Sequence, residues 1–441
     1  MLKKNNTISG WGNFPTVNTK LTKVKSINHL IETVKRLKTV IYYGNGRSYG
    51  DSALNKRMVQ CQRLSEPIDF NPETGIVHIN ADVLIGDLID HILPFGWFPP
   101  VVPGTKFVTI GGAIAADIHG KNHHLEGCIS QHIISFNLLL PNGDIIVCTK
   151  QNNVNLFNAT CGGMGLTGII LNAKIKMRPV ESRYVRQTCY KAKNIEELFS
   201  HFEKYDSNSY SVAWLDCTAK DENLGRGILM TGEFLNNKKL EKQHFAKRFK
   251  FNVPFYFPSW FLNPILLKIF NTFYFYLLSL NERKKVITDY DNFFFPLDRI
   301  LNWNRLYGKH GFVQYQFVLP KENSMEGIKK ILHKISSSKQ GSPLAVLKLF
   351  GKKNDNYLSF PLKGYTLALD FKNHPLVNQL LDDLDKIVLE NKGRVYLAKD
   401  ARIKKHIFEP GYDRLSEFRK LRKKYKMDTK FQSLQSKRLG L

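Results

Sequence analysis

The stretch VVPGTKFVTIGGAIAADIHGKNHH, Val101 to His124, decides the reading of the fold. Pro103-Gly104-Thr105 makes a turn, and Thr109-Ile110-Gly111-Gly112 opens a run of small residues through Ala113, Ala115 and Ala116. Small side chains in series fill a core poorly, but they let a backbone approach an extended ligand closely. Gly120 then punctuates a polar cluster of His119, Lys121, Asn122, His123 and His124. Upstream, GNGRSYGD (Gly44 to Asp51) follows the strand-like TVIYY, and its amides can turn inward as an anion nest. Downstream, CGGMGLTGII (Cys161 to Ile170) carries Gly162, Gly163, Gly165 and Gly168. Three such loops in one region imply a large phosphate-bearing cofactor. A Rossmann reading has to be weighed, because Glu66 lies roughly 20 residues on, where a ribose-binding acid is expected. It fails on spacing, G-x-G-x-x-x-G in place of G-x-G-x-x-G, and no helix begins at Tyr49 to Ser52.

Around these loops, short β-rich runs alternate with glycine turns from Leu30 to about Pro179. PNGD (Pro141 to Asp144) between two apolar runs is a hairpin signal. SINHLIETVKRLK and VLIGDLIDHILPFG read as amphipathic helices, with Gly96 closing the second. Beyond Val180, SVAWLDCT, GFVQYQFVLP, LAVLKLFG and YTLALDF read as strands, while EGIKKILHKISS and HPLVNQLLDDLDKIVLENKG read as helices. The expected class is α+β. The expected division is a cofactor domain over 1–179, a substrate domain with a large antiparallel sheet over 180–393, and a basic helical segment over 394–441.

The 441 residues, 43% apolar and 23% charged, exclude disorder and collagen-like repeats. The net charge of +27 leaves open nucleic acid, an anionic membrane or a phosphorylated substrate. A nucleic-acid module would leave the glycine loops without a role. Six cysteines (Cys61, Cys128, Cys148, Cys161, Cys189, Cys217) form no C-x-x-C pair, so neither a disulfide framework nor a metal site is expected. The N-terminus lacks the apolar run of a secretory signal.

The greasiest stretch, Val253 to Leu280, is long enough for a membrane span, but Pro254, Pro258, Asn263, Pro264, Lys268 and Asn271 interrupt it. Lys238, Lys239, Lys242, Lys247, Arg248 and Lys250 precede it, and Arg283, Lys284 and Lys285 follow. Two readings stand: a surface that dips into the headgroup layer, or ordinary core helices behind prolines.

GNGRSYGD, the Pro103–His124 stretch and GGMGLTGII together resemble the flavin domain of the vanillyl-alcohol-oxidase family, with its two-subdomain, PCMH-type FAD-binding fold. The likeness runs over nearly the whole chain: GWG at Gly10, LPFG at Leu93, SVAWLD around Trp214, PLD at Pro296, WNR at Trp303 and QYQFV at Gln314. It continues through LKLFG at Leu347, YLAKDAR at Tyr396 and the final RLGL. Within the family the chain is similar to members that oxidise the 2-hydroxyl of a polyprenyl-phosphate-linked pentose. Such an enzyme works beside a short-chain NAD(P)H-dependent keto-reductase, contacts the membrane peripherally and feeds arabinan into the cell envelope. The competing reading is an aldonolactone- or alditol-type oxidase of a soluble sugar. The resemblance implies a place in the cytoplasm or on the inner membrane, with the periplasmic side also open.

By position in that pattern, FAD would be held by Tyr42, Tyr43, Gly44, Asn45, Gly46, Arg47, Ser48, Tyr49, Gly50, Asp51 and Ser52. Gly104, Thr109, Ile110, Gly111, Gly112, Ala116, Asp117, Ile118, His119, Gly120, Lys121, Asn122, His123, Ile170 and Tyr396 complete the set. Covalent members carry histidine in the first loop where this chain has Arg47, so non-covalent FAD is expected. Lys399 matches the family's active-site lysine, and burial beside a flavin would lower its pKa. His119 is the other candidate base. Gln314 and Gln316 share one strand face, with Gln316 the third catalytic candidate. Lys121, Arg305, Lys348, Gln314, Gln316 and Thr366 are the candidate substrate contacts. Mycobacterial members carry asparagine and cysteine where this chain has Thr366 and Ala368, which leaves the sugar-lipid open.

Overall fold

The computed structural model describes residues 6–61, 68–236, 250–258 and 260–441. Glu66 and the basic residues Lys238, Lys239, Lys242, Lys247 and Arg248 lie outside them.

The N-terminal part builds two small sheets. Asn6–Ser9, Thr16–Val24, Arg57–Cys61 and Ile41–Tyr42 form the first, antiparallel at its outer pair and parallel elsewhere. The second is antiparallel, in the order Asp69–Asn71, Ile76–Asn80, Ile169–Lys176, Ile133–Leu139 and Ile145–Thr149. The PNGD turn joins the last hairpin, with Gly143 at φ +95° as such a turn requires. Helix Ile27–Arg36 starts at a Ser26 cap, and helix Ile85–Ile92 runs into a short turn that Gly96 ends at φ +79°. The small-residue run of the opening stretch is not a loop throughout. Ile110–Ala115 forms a short helix capped by Thr109, whose Oγ1 accepts the Gly112 amide.

The second part is an eight-stranded antiparallel sheet. Its order is Lys285–Asp289, Tyr184–Ala192, Gly227–Phe234, Tyr210–Leu215, Ala345–Phe350, Gly364–Lys372, Phe312–Pro320 and Arg394–Val395. Alternation along the strands divides its faces. Tyr315, Phe317 and Leu319 point one way with Leu367, Leu369, Phe371, Leu347 and Leu349. They pack on Ile328, Ile331, Leu332 and Ile335 of helix Lys321–Ser337 and on Leu380, Leu381 and Leu384 of helix Pro375–Glu390. By the same alternation, Gln314, Gln316, Val346, Lys348, Thr366, Ala368 and Asp370 occupy the opposite face. All six cysteines are free, five of them buried and Cys61 half-buried.

The last segment crosses back to the first glycine loop. Phe431 bridges Val40, Asn55 donates to the Gln432 carbonyl, and Arg438 pairs with Asp51.

The stretch from Val253 to Leu280 contains helix Pro264–Ser279, started by Asn263 with Pro264 in its first turn. No described helix is long and apolar enough to cross a membrane. The polar residues that interrupt the stretch latch the helix down. Asn271 is fully buried and donates to Asp216 and to the Ser342 carbonyl, while Arg226 joins Asp216 to Thr272.

Candidate functional site

Strand Ile41–Tyr42 delivers the chain into the loop Gly44 to Gly50. Among the described residues, the amides of Gly44, Asn45, Gly46, Arg47 and Ser48 have no hydrogen-bond acceptor. Gly46 adopts φ +62°, and a Cβ there would lie 2.1 Å from the Tyr43 hydroxyl. Asn45 anchors the loop by donating to the Phe107 carbonyl, and Gln60 donates to the Gly44 carbonyl. The Arg47 guanidinium stacks over Trp11 and Phe107, 4.2 and 4.9 Å from the ring centroids. A run of unpaired amides is the donor set that a diphosphate requires, so the residues present fit FAD.

Several residues expected at the cofactor have side chains that do other work. The Asp117 carboxylate takes hydrogen bonds from the Asn354 and Asn356 amides, the Ser359 hydroxyl and the Ser130 amide. Asp51 belongs to the Arg438 pair, Asn122 donates to the Pro100 carbonyl, and His123 Nδ1 accepts the Gly351 amide. These four side chains position the loops; only their backbone faces remain for a ligand. The amides of Ile110 and Gly111 likewise go to the Val83 and Ala81 carbonyls.

The catalytic candidates meet on the sheet face. Gln316 Nε2 lies 3.1 Å from His119 Nε2 and 3.2 Å from Thr366 Oγ1, and the Thr366 hydroxyl donates to the Phe317 carbonyl. Lys399 Nζ stands 3.8 Å from the centroid of the Tyr49 ring. Tyr49 is tied to the segment that carries Lys399 through its amide bond to the Ala398 carbonyl. Tyr396 donates its hydroxyl to the Ala116 carbonyl, and its ring lies 5.2 Å from that of His119.

One group that the sequence reading missed completes the cluster. Asp370 is buried, receives Gln314 Nε2 at 2.6 Å on Oδ1, and leaves Oδ2 without a partner among the described residues. It sits opposite Gln314 in the strand register, two residues beyond Ala368 on the same face. That period-two placement was the available signal.

The electrostatics are dominated by burial. Burial pushes Lys399 down to about 7, a fall that Asp370 opposes and Lys348 reinforces. Burial pushes Asp370 up to about 7, opposed by the Gln314 hydrogen bond and by Lys399. Lys348 falls to about 8 by burial, and Lys121 to about 7 by burial and then Lys348. Burial, then Lys348, His123 and Lys399, holds the His119 imidazole well below its ordinary range. Lys399 acts on Asp370, and Lys348 acts on Lys399, Lys121 and His119, a concentration of basic groups that suits an anionic ligand.

Two substrate candidates stand differently from expectation. Lys121 Nζ is turned to the Phe293 carbonyl and lies 4.3 Å from the centroid of that ring. Arg305 is committed to a loop, donating to the Val253 and Pro254 carbonyls at 2.9 Å each beside Tyr256. None of its described contacts is with another candidate residue. Among the described residues, no group of three or more His, Cys, Asp or Glu could hold a metal ion.

Residues 20–149 match the FAD binding domain family. The chain is 36% identical to a decaprenylphosphoryl-beta-D-ribose oxidase of Mycolicibacterium smegmatis, over 98% of this chain and 97% of that protein. A Streptomyces coelicolor protein named only as uncharacterized is 28% identical over 80% of this chain and 99% of its own. A D-arabinono-1,4-lactone oxidase of Yarrowia lipolytica is 24% identical over only 32% of this chain and 28% of that protein. Two small sheets carrying an unpaired amide run, an antiparallel sheet presenting Gln316 with Lys399 in the turn after its last strand, and likeness along almost the full chain converge: the chain belongs to the decaprenylphosphoryl-beta-D-ribose oxidase family of FAD-dependent oxidoreductases.

Proposed function

We propose that this enzyme oxidises the 2-hydroxyl of a pentose linked to polyprenyl phosphate, giving the 2-keto sugar. The observation that carries this reading is the surplus of buried base around Lys399, on the sheet face joined to the cofactor loops through Tyr49 and Tyr396. The loop amides of Gly44 to Ser48 would hold FAD without a covalent bond, and when bound it would supply the acceptor for the hydride leaving C2. Lys399, lowered toward neutrality, takes the hydroxyl proton onto Nζ as the C–H bond breaks. Asp370, whose Oδ2 has no partner among the described residues, receives a proton in turn or holds the lysine charge. Gln316 and Gln314 orient the sugar hydroxyls, and Lys348 offers positive charge to the phosphate. His119 stays neutral, with Nε2 engaged by Gln316, and serves as a wall and a donor through Nδ1.

A keto-reductase of the short-chain NAD(P)H-dependent class would return hydride to the opposite face of C2, completing an epimerisation for envelope arabinan. The enzyme would act peripherally on the membrane that holds its prenyl-anchored substrate. The soluble-sugar oxidase reading rests on a relative that covers a third of the chain, and it explains neither the buried lysines nor the apolar helix. Anaerobic mixing with decaprenylphosphoryl-ribose should bleach the flavin within the turnover time. Bleaching by free aldonolactones or alditols, with none by the lipid phosphate, would falsify the assignment.

A further inference from the structure

Twelve of the large hydrophobic side chains exposed among the described residues fall between Phe251 and Leu280. Helix Pro264–Ser279 is apolar on both sides. Leu267, Asn271 and Phe275 face inward, and Phe275 packs with Trp214, Ile228 and Cys189. Ile265, Ile269, Phe273, Tyr276 and Leu280 recur at three- and four-residue steps on the outer side, with exposures between 57 and 72%. A helix apolar all round belongs inside something, and here only half of it is covered. Trp260, Phe255 and Tyr256 extend the patch ahead of the helix.

Charge indicates what covers it. From Lys250 to Thr288, Glu282 is the single acidic residue against Lys250, Lys268, Arg283, Lys284 and Lys285, in a chain of net charge +27. An apolar strip rimmed with aromatics and lysines matches an anionic headgroup layer over acyl chains; an uncharged protein groove would not use the cations. The patch is also continuous with an opening. A cleft of about 220 Å³ begins at Leu262 and Leu267, beside the helix N-terminus, passes Tyr307 and Pro343 and reaches Asp370. Asp370 is the carboxylate whose charge is felt by Lys399.

We propose that the outer face of helix Pro264–Ser279, with the aromatic loop before it, docks this enzyme onto an anionic lipid bilayer, and that the cleft under the helix opens at that surface to admit a lipid-anchored substrate. The docking half stands on the patch alone; the loading half rests on the function proposed above. The Asp216–Arg226–Asn271–Thr272 latch fixes the helix to the body, so a docked helix sets the orientation of the cleft.

The test uses the full-length holoenzyme and vesicles of phosphatidylglycerol or phosphatidylcholine. Wild type should sediment with the first, weaken as salt rises and bind the second poorly. The combined variant Ile265→Glu, Ile269→Glu, Phe273→Glu should lose vesicle binding by at least about tenfold, because it removes three inserting side chains. It should keep its flavin spectrum and its turnover of detergent-dispersed substrate, and lose turnover of substrate embedded in vesicles. Wild type that stays in the supernatant with both vesicles overturns docking. So does a variant whose vesicle binding is unchanged while a wild-type dimer becomes monomeric, which would make the patch a contact between copies. If vesicles bind normally and dispersed substrate is not turned over, the proposed reaction fails and the docking face stands.

Discussion

His119 and Gln316 meet end to end, Nε2 to Nε2 at 3.1 Å, inside the protein. An amide nitrogen only donates, so the imidazole must accept on Nε2 and carry its proton on Nδ1. Burial, and then the lysines and His123 nearby, keep that ring neutral. A histidine whose lone pair is already taken is a poor base. The same Gln316 amide reaches Thr366, so one glutamine fixes both the tautomer of a wall and the position of a strand.

Replacing Gln316 with leucine strands the buried His119 acceptor. We expect a loss of about 1–3 kcal/mol of stability, the usual cost of an unsatisfied buried polar group. Thermal unfolding of the flavin-loaded variant measures this, and stopped-flow flavin reduction should slow in parallel. A variant that melts with wild type would show that the contact carries no net energy.

The proton that Lys399 must take sets a second expectation. Burial lowers the lysine to about 7, so it is cationic below that pH and neutral above it. The rate of flavin reduction should climb ~tenfold per pH unit below about 7 and level off above it, as for a base that must be free. Lys399→Ala should retain flavin and lose reduction at every pH. A wild-type profile that falls through this range would assign the work to the lysine cation instead.

The glycine loops were legible because their chemistry is written in consecutive residues: amides, absent side chains and Arg47 in the histidine position. The central strands were legible because Phe312–Pro320 and Gly364–Lys372 carry the β-branched and aromatic pattern of a covered sheet. Asp370 was not legible, since a lone acid near a strand end reads as solvated until Gln314 and Lys399 are brought to it. The side-chain role of Asp117 was not legible for the same reason: it lies between small residues and His119, while its partners Asn354, Asn356 and Ser359 come from a distant loop. The greasy segment divided between its two readings, because one side of the helix packs and the other does not.

Lys348 makes no hydrogen bond or ion pair among the described residues, and burial has pushed it down to about 8, below the ~10.4 of an unfolded lysine. Between those values the unfolded chain binds more protons, so raising the pH across that window stabilises the fold. Lys348→Met should remove this pH-dependent gain and, near neutral pH, stabilise the ligand-free protein by on the order of 1 kcal/mol. The same change should raise KM for the phosphorylated substrate with little effect on kcat. Denaturant titrations at several pH values, paired with steady-state kinetics, read both effects. Equal KM in the two proteins would remove Lys348 from phosphate recognition.

Arg438, three residues before Leu441, lies 2.8 Å from Asp51 and 2.9 Å from Asp400, both almost wholly buried. Asp51 ends the first glycine loop and Asp400 follows Lys399, so one guanidinium ties the cofactor loop to the catalytic lysine's turn. Gln435 strengthens the junction by donating to the Leu397 carbonyl. Arg438→Ala would leave two buried carboxylates facing each other, at a cost of roughly 3–5 kcal/mol. Flavin should then dissociate at a lower temperature than the sheet unfolds, because the loop is released before the core. Arg438→Lys, which keeps the charge but reaches the two acids less well, should fall between. Simultaneous loss of flavin fluorescence quenching and far-ultraviolet ellipticity in the alanine variant would mean that the junction stabilises the whole chain and gives the loop no special hold.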